Sequence, residues 1–291
     1  MRVLTTRRFL QTAAVLVAGM LLGACGKKDA PPSESTAPAA ATTATTAPPA
    51  EPARVLVVGT DAAYAPFESQ NQSGEIVGFD IDIVRAIADK AGLQVKFVNT
   101  PWEGIFTTLD QGDRDLLVSA ITITDERRQS MDFSDPYFNA QQLIAVKADS
   151  KISKFADLKK LKVGVQTGTT GDEAVSKLQG KTSTSIRRFE STPLALQELE
   201  AGGVDAVVAD NGVVENYVAN NAAAKFKSVA DPAAFASEQY GIAVKKGNTE
   251  LLEKINKALA EIRADGSYDR IYATYFGTPQ AATPAASAAS R

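Results

Sequence analysis

Histidine is missing altogether from these 291 residues, and cysteine and tryptophan occur once each. With no imidazole the chain cannot build a Ser-His-Asp triad, a histidine zinc site or an imidazole acid/base. The lone thiol, Cys25, excludes an internal disulfide and a thiolate cluster. Positive charge is scarce as well. Thirty-one Lys and Arg against 34 Asp and Glu leave a net charge of −3, with no basic field to collect phosphates, so nucleic acid is not an expected partner. The apolar run over 12–22 is too short to span a bilayer as a folded helix. What is present is a chain with 44% apolar residues, enough for one or two packed domains.

Arg2, Arg7 and Arg8 precede that apolar run and small residues follow it, the arrangement of an export signal. Leu22-Gly23-Ala24-Cys25 resembles the lipobox of bacterial lipoproteins, which implies removal of residues 1–24 and a lipidated Cys25 at the new N-terminus. An ordinary signal peptide with an incidental cysteine is the alternative. Removing 1–24 deletes three arginines and no acid, so the net charge moves from −3 to −6. Arg7-Arg8-Phe9-Leu10 is similar to part of a twin-arginine signal, although Gln11 stands where an apolar residue is usual, and the export route stays open. Residues 26–53 are mostly Ala, Thr, Pro and Ser without apolar periodicity and read as a solvated, disordered tether. Residues 278–291 repeat that composition and read as a frayed tail. The folded body is therefore 54–277.

Within the body, short β-branched runs alternate with helical patterns. Val55-Leu56-Val57-Val58 leads to a helix over 79–91, whose apolar residues at 83, 84, 87, 88 and 91 share one face and which Gly92 ends. Strands over 95–98 and 116–119 bracket a short helix over 104–111. A second set follows: strand 162–165, helix 172–178, strand 185–189, helix 193–201, strand 204–209, helix 212–219 and strand 226–230. A strand over 240–244 and helices over 248–264 and 268–276 close the body. Strands and helices alternating through short connections predict parallel βαβ units, so the fold class is α/β. Two sets predict two lobes, each a mainly parallel sheet with flanking helices. The first takes 54–140 and part of 236–277, the second 146–235, and 141–145 with the return near 236–243 forms a two-strand hinge.

Open α/β sheets collect ligands beyond the carboxyl ends of their strands, where loops enter helices with free N–H groups. Asp61 follows the first strand; Ser119, Ala120 and Thr122 follow the 116–119 run; Gly168, Thr169 and Thr170 follow strand 162–165; Asp210 follows strand 204–209. Arg127 can hold a carboxylate through two parallel charge-assisted hydrogen bonds, Thr169 and Thr170 offer backbone donors at a helix start, and Asp210 can pair with an ammonium. Each such bond is worth about 1.5–3 kcal/mol, and leaving a buried charge unpaired costs a comparable amount. The expected ligand therefore carries both charge signs at its α-carbon. Plainer roles exist for the same residues: caps for Asp61, Asp210 and Thr169-Thr170, a solvated helix start for Arg127, packing for Tyr64 and Trp102. Asp80 and Asp82 read as helix-start stabilisers. No acid cluster suggests a metal.

Several passages now combine in order and spacing: Val58-Gly59-Thr60-Asp61 through Tyr64-Ala65-Pro66-Phe67-Glu68, Gly78-Phe79-Asp80-Ile81-Asp82, and Ile121-Thr122-Ile123-Thr124-Asp125-Glu126-Arg127-Arg128 leading to Asp132-Phe133-Ser134-Asp135-Pro136-Tyr137. Val163-Gly164-Val165 with Gly168-Thr169-Thr170 and Tyr240-Gly241-Ile242-Ala243 extend the series. Together they closely resemble the family 3 extracellular solute-binding proteins, the polar amino-acid receptors of bacterial ABC importers. The resemblance implies a type II periplasmic binding protein fold whose lobes close over a free polar amino acid and present it to a membrane permease. It implies a monomeric binding protein rather than an enzyme, with no cofactor, working outside the cytoplasm on a lipid anchor and facing the periplasm in a Gram-negative cell.

By the same resemblance, Arg127 matches the clamp on the ligand α-carboxylate and Asp210 the acid that takes the α-ammonium. Ser119, with Ala120 beside it, matches a contact near the ammonium, Thr122 a hydroxyl shared between the head groups, and Thr169 and Thr170 the second-lobe clamp on the carboxylate. Asp61 matches the acid at the side-chain tip, while Tyr64 and Trp102 match aromatic walls. Gln166 and Ala209 stand where members differ, and the apolar Ala209 favours arginine or another cationic amino acid over glutamine, which is the alternative. A sensor module and a cyclohexadienyl (prephenate/arogenate) dehydratase, with Asp61 or Glu68 as acid, are further alternatives on the same fold.

Overall fold

The computed structural model describes residues 54–221, 223 and 225–277. The expected export signal, lipidated Cys25, tether and tail lie outside the described residues. Among the described residues no helix is long and apolar enough to cross a membrane.

Two five-stranded sheets organise the body. In the first, Val55–Thr60 pairs parallel with Gln94–Asn99 on one side and Leu116–Leu117 on the other. Ala243–Lys245 then pairs antiparallel with Leu116–Leu117, and Met131–Phe133 closes the edge. The second sheet repeats the scheme: Val163–Gln166 lies between parallel neighbours Ile186–Phe189 and Ala206–Asp210, followed by antiparallel Gln142–Lys147 and Phe226–Val229. Three strands of each sheet thus meet the expectation of parallel βαβ pairing. The edge strands Met131–Phe133 and Phe226–Val229 follow helices and run the same way, so only Ala243–Lys245 and Gln142–Lys147, which enter without a helix directly before them, run against the rest of their sheets. The α/β class and the two lobes are as the sequence predicts.

The helix Phe79–Ala91 forms where the apolar spacing places it, ends at Gly92 and buries Ile83, Val84, Ile87 and Ala88. Ile83, Val84 and Ile87 join Ile255, Ala258, Leu259 and Ile262 of the helix Thr249–Ala264 in one core. Phe67 is fully buried at the centre of an aromatic group, with ring centroids 4.9 Å from Phe138, 5.3 Å from Tyr240 and 5.4 Å from Phe276. Val213, from the second lobe's helix Asn211–Asn220, belongs to the same core cluster. The first lobe's core therefore continues into the base of the second.

The chain crosses between the lobes at Phe138–Ala140 and Glu238–Tyr240, which pair antiparallel as a sheet of their own. This corrects the expected hinge at 141–145. Residues 142–147 are hydrogen-bonded along both edges within the second sheet and cannot bend without breaking that ladder. The strand expected over 240–244 divides for the same reason: Glu238–Tyr240 serves the crossing and Ala243–Lys245 the first sheet. Between them Gly241 N–H donates to the Ile121 carbonyl, and Ile242 N–H donates to Ser134 Oγ.

Candidate functional site

All eleven residues expected to meet a ligand line one cavity of about 330 Å³ between the lobes. Asp61, Tyr64, Trp102, Ser119, Ala120, Thr122 and Arg127 come from the first lobe, and Gln166, Thr169, Thr170 and Asp210 from the second. Loops at strand ends deliver most of them, because a strand's last residues have lost one ladder partner and their side chains are free to converge. Four ionic groups gather here or just behind. Among the described residues, none of Asp61, Arg127, Asp210 and Glu238 takes part in an ion pair, although eight pairs form elsewhere.

Arg127 lies on the short helix Asp125–Ser130, where the Thr124 hydroxyl accepts its backbone N–H. Its half-buried guanidinium points back into the cleft and donates to the Thr122 carbonyl at 2.8 Å and to the Gly168 carbonyl, across the cleft, at 3.4 Å. Its centre sits 5.3 Å from the Trp102 ring and 5.2 Å from Phe106, so two aromatic faces support it. Burial lowers its pKa, a pull opposed by the charges of Glu173, Asp210, Glu238 and Glu126. The solvated helix-start role does not describe this geometry.

Asp210 occupies the N-cap position of Asn211–Asn220, yet its side chain makes no capping hydrogen bond. It accepts from Tyr64 Oη at 2.8 Å, from Tyr240 Oη at 2.6 Å and, through its other oxygen, from Gln142 Nε2. Burial, with the charge of Glu238 adding to it, pushes the Asp210 carboxyl up to about 6, while those three donors pull it back. Asp61 stands at the other end. Its N–H donates to Ser119 Oγ at 3.0 Å, and its carboxylate accepts from Gln166 Nε2 at 3.2 Å across the cleft. Burial raises its pKa also. Thr169 does cap its helix: its hydroxyl accepts the Asp172 N–H at 3.2 Å and donates to the Gln166 carbonyl at 2.9 Å. Thr170 opens that helix, and at such a position the backbone N–H has no intrahelical acceptor.

Sequence reasoning missed the groups that hold this shell. Asp80 is fully buried rather than a plain helix-start charge: it accepts the Ala120 N–H and the Tyr137 hydroxyl, each at 2.7 Å. This fixes Ala120 at a positive φ of 46°, which turns the loop into the cavity. Glu68, also fully buried, accepts from Ser119 Oγ at 3.2 Å. Burial, then the Asp80 charge, raises Glu68 well above the usual carboxylate range. Glu238 accepts hydroxyls from both lobes. The Glu-x-Tyr spacing of Glu238 and Tyr240 was the available signal, since alternate residues of a strand share one face.

Two hinged lobes around a cavity that offers a cation at one side and acids at the others define a small-molecule binding protein. The chain belongs to the bacterial extracellular solute-binding proteins, family 3, whose model matches residues 56–278, and with that family it works outside the cytoplasm. A probable histidine-binding protein of Neisseria gonorrhoeae is 45% identical over 265 residues, covering 91% of this chain and 94% of the relative. The solved arginine-, lysine-, histidine-binding protein ArtJ from Geobacillus stearothermophilus matches with a TM-score of 0.76 and 46% identity, over 78% of this chain and 97% of that one. An ancestral arginine-binding protein solved with glutamine matches at 0.72 and 47%, over 77% and 98%. The chain is an amino-acid-binding component of ABC transport and not an enzyme.

Proposed function

We propose that this protein captures a polar L-amino acid, arginine or another cationic one in first place, and presents it in the closed state to an ABC importer permease. The observation that carries this reading is the set of unpaired charges around one cavity: a single cation, Arg127, against Asp61 and Asp210. A ligand with one carboxylate, one α-ammonium and a positive side chain satisfies all three at once. Arg127 and the N–H of Thr170 take the carboxylate, Asp210 the ammonium and Asp61 the side-chain tip, with Tyr64 and Trp102 along its methylenes. A neutral amide such as glutamine leaves the Asp61 charge without a partner, which an acid with raised pKa tolerates only by holding its proton. The relatives named for histidine, for arginine, lysine and histidine, and the ancestral protein solved with glutamine support the class. In this reading lipidated Cys25 and the tether hold a monomeric body at the membrane surface, facing the periplasm in a Gram-negative cell.

Calorimetry on protein unfolded and refolded to strip carried ligand, against all common amino acids, tests it. Arginine, lysine or ornithine binding more tightly than glutamine is the expected result. No heat and no thermal stabilisation with any amino acid would sink the reading.

A further inference from the structure

Glu238 stands behind the cavity wall, on the crossing strand Glu238–Tyr240, and one of its oxygens collects protons from both lobes. Thr122 Oγ1 of the first lobe lies 2.9 Å from Glu238 Oε2, and Thr170 Oγ1 of the second lies 2.8 Å from the same atom. A threonine hydroxyl has a single proton, and an ionised carboxylate can only accept. Both protons are therefore committed to Glu238. Gln142 Nε2 reinforces this order, lying 3.1 Å from Thr170 Oγ1 and 3.5 Å from Glu238 Oε2 while also donating to Asp210. Thr170 thus receives a hydrogen bond on one side and gives its own to Glu238 on the other. What Thr122 and Thr170 turn toward the cavity they line are lone pairs, which can accept from an ammonium but cannot donate to a carboxylate.

We propose that Glu238 is a positioning residue for the ligand's α-ammonium: by taking the Thr122 and Thr170 hydroxyl protons it makes that corner of the site purely accepting, and its charge reinforces Asp210. This inference rests on the amino-acid reading above. It assigns discrimination between an amino acid and its des-amino analogue to a residue that touches neither. It also leaves the carboxylate to Arg127 and backbone N–H groups, because the Thr122 hydroxyl, expected to be shared between the head groups, and the Thr170 hydroxyl have no proton to give. Closure and recognition are linked by the same atom, since Glu238 Oε2 can hold both hydroxyls only when the lobes are together.

The test compares L-arginine with 5-guanidinopentanoate, which lacks only the α-amino group, by calorimetry on refolded wild type and Glu238→Gln. The amide removes the charge and can itself donate to the threonines. Wild type is expected to prefer arginine, and Glu238→Gln to lose at least tenfold of that preference, chiefly through weaker arginine binding. In a background with Thr122→Ala and Thr170→Val together the same replacement is expected to change the preference by less, because both hydroxyls through which Glu238 acts are gone. Should Glu238→Gln not unfold cooperatively, Glu238→Asp, which keeps the charge but shortens the reach, is expected to lose part of the preference. A merely structural role weakens both ligands alike. A preference ratio unchanged within twofold in a folded variant, with wild type still binding arginine, overturns the role of Glu238 alone; wild type binding no amino acid overturns the functional reading with it.

Discussion

At the scale of single residues, the site works through charges that the protein itself leaves uncompensated. Arg127 gives its N–H groups to two carbonyls, and a carboxylate replacing them turns neutral acceptors into a charged one. Replacing Arg127 with Met is expected to weaken amino-acid binding at least a hundredfold, about 3 kcal/mol, while the body still unfolds cooperatively. Unchanged calorimetric affinity would refute the role. Asp210 adds a pH dependence whose sign can be worked out. Its carboxyl is raised to about 6 by burial, above its unfolded value, so the ligand-free fold favours the protonated acid. That contribution is fully present below about pH 4 and is lost as pH rises through 6, on the order of 3 kcal/mol at most. Binding an ammonium needs the carboxylate, so affinity runs the other way and falls about tenfold per pH unit below 6. Asp80, raised to about 6 as well, contributes in the same pH range, which makes Asp210→Asn the necessary control. Calorimetry and thermal unfolding between pH 4.5 and 8 should show both slopes reduced in that variant.

At the scale of elements, the helix Phe79–Ala91 shows how a local backbone requirement serves a distant loop. Gly78 caps it at φ 142°, a conformation L side chains rarely adopt, and a Cβ there would lie 2.1 Å from the Phe67 carbonyl oxygen. This close approach allows the Phe79 and Asp80 N–H groups to bond the Pro66 and Phe67 carbonyls, and it places Asp80 under Ala120. Gly78→Ala is therefore expected to destabilise the body by about 2–4 kcal/mol in urea unfolding and to weaken ligand binding through the displaced Ser119–Ala120 loop. A loss of stability below about 0.5 kcal/mol would show that the helix start can shift freely. The helix itself was legible, because apolar residues at 83, 84, 87 and 88 declare its face. The three-stranded meander Ala63–Tyr64, Glu68–Gln70 and Ile76–Val77 was not: strands of two or three residues are too short to carry a period.

At the scale of the molecule, one of the close approaches between the lobes is a narrow one. Gly212, the second residue of its helix, faces the Phe67 ring, and a Cβ there would meet two ring carbons at 2.8 Å. Phe67 is fully buried among other aromatics, so it has little room to yield. Gly212→Val should hold the lobes apart: at least tenfold weaker binding, less compaction with ligand in small-angle scattering, and a stability close to wild type once ligand is absent. Unaltered affinity would mean that the lobes slide past the added methyls and that closure does not depend on this approach.

Composition and periodicity alone determined the α/β class, the two lobes and the residue types at strand ends, because burial patterns and strand-to-helix turns are local properties of the chain. The charged groups facing the cavity were legible too, since an acid or an arginine past a strand end has few places to go. Which strands would run antiparallel, where the chain bends between lobes, and which hydroxyl carries its proton toward which acid were decided only in three dimensions. Glu238 meets Thr122 and Thr170 across 116 and 68 residues of sequence, and no local pattern encodes a meeting at that separation.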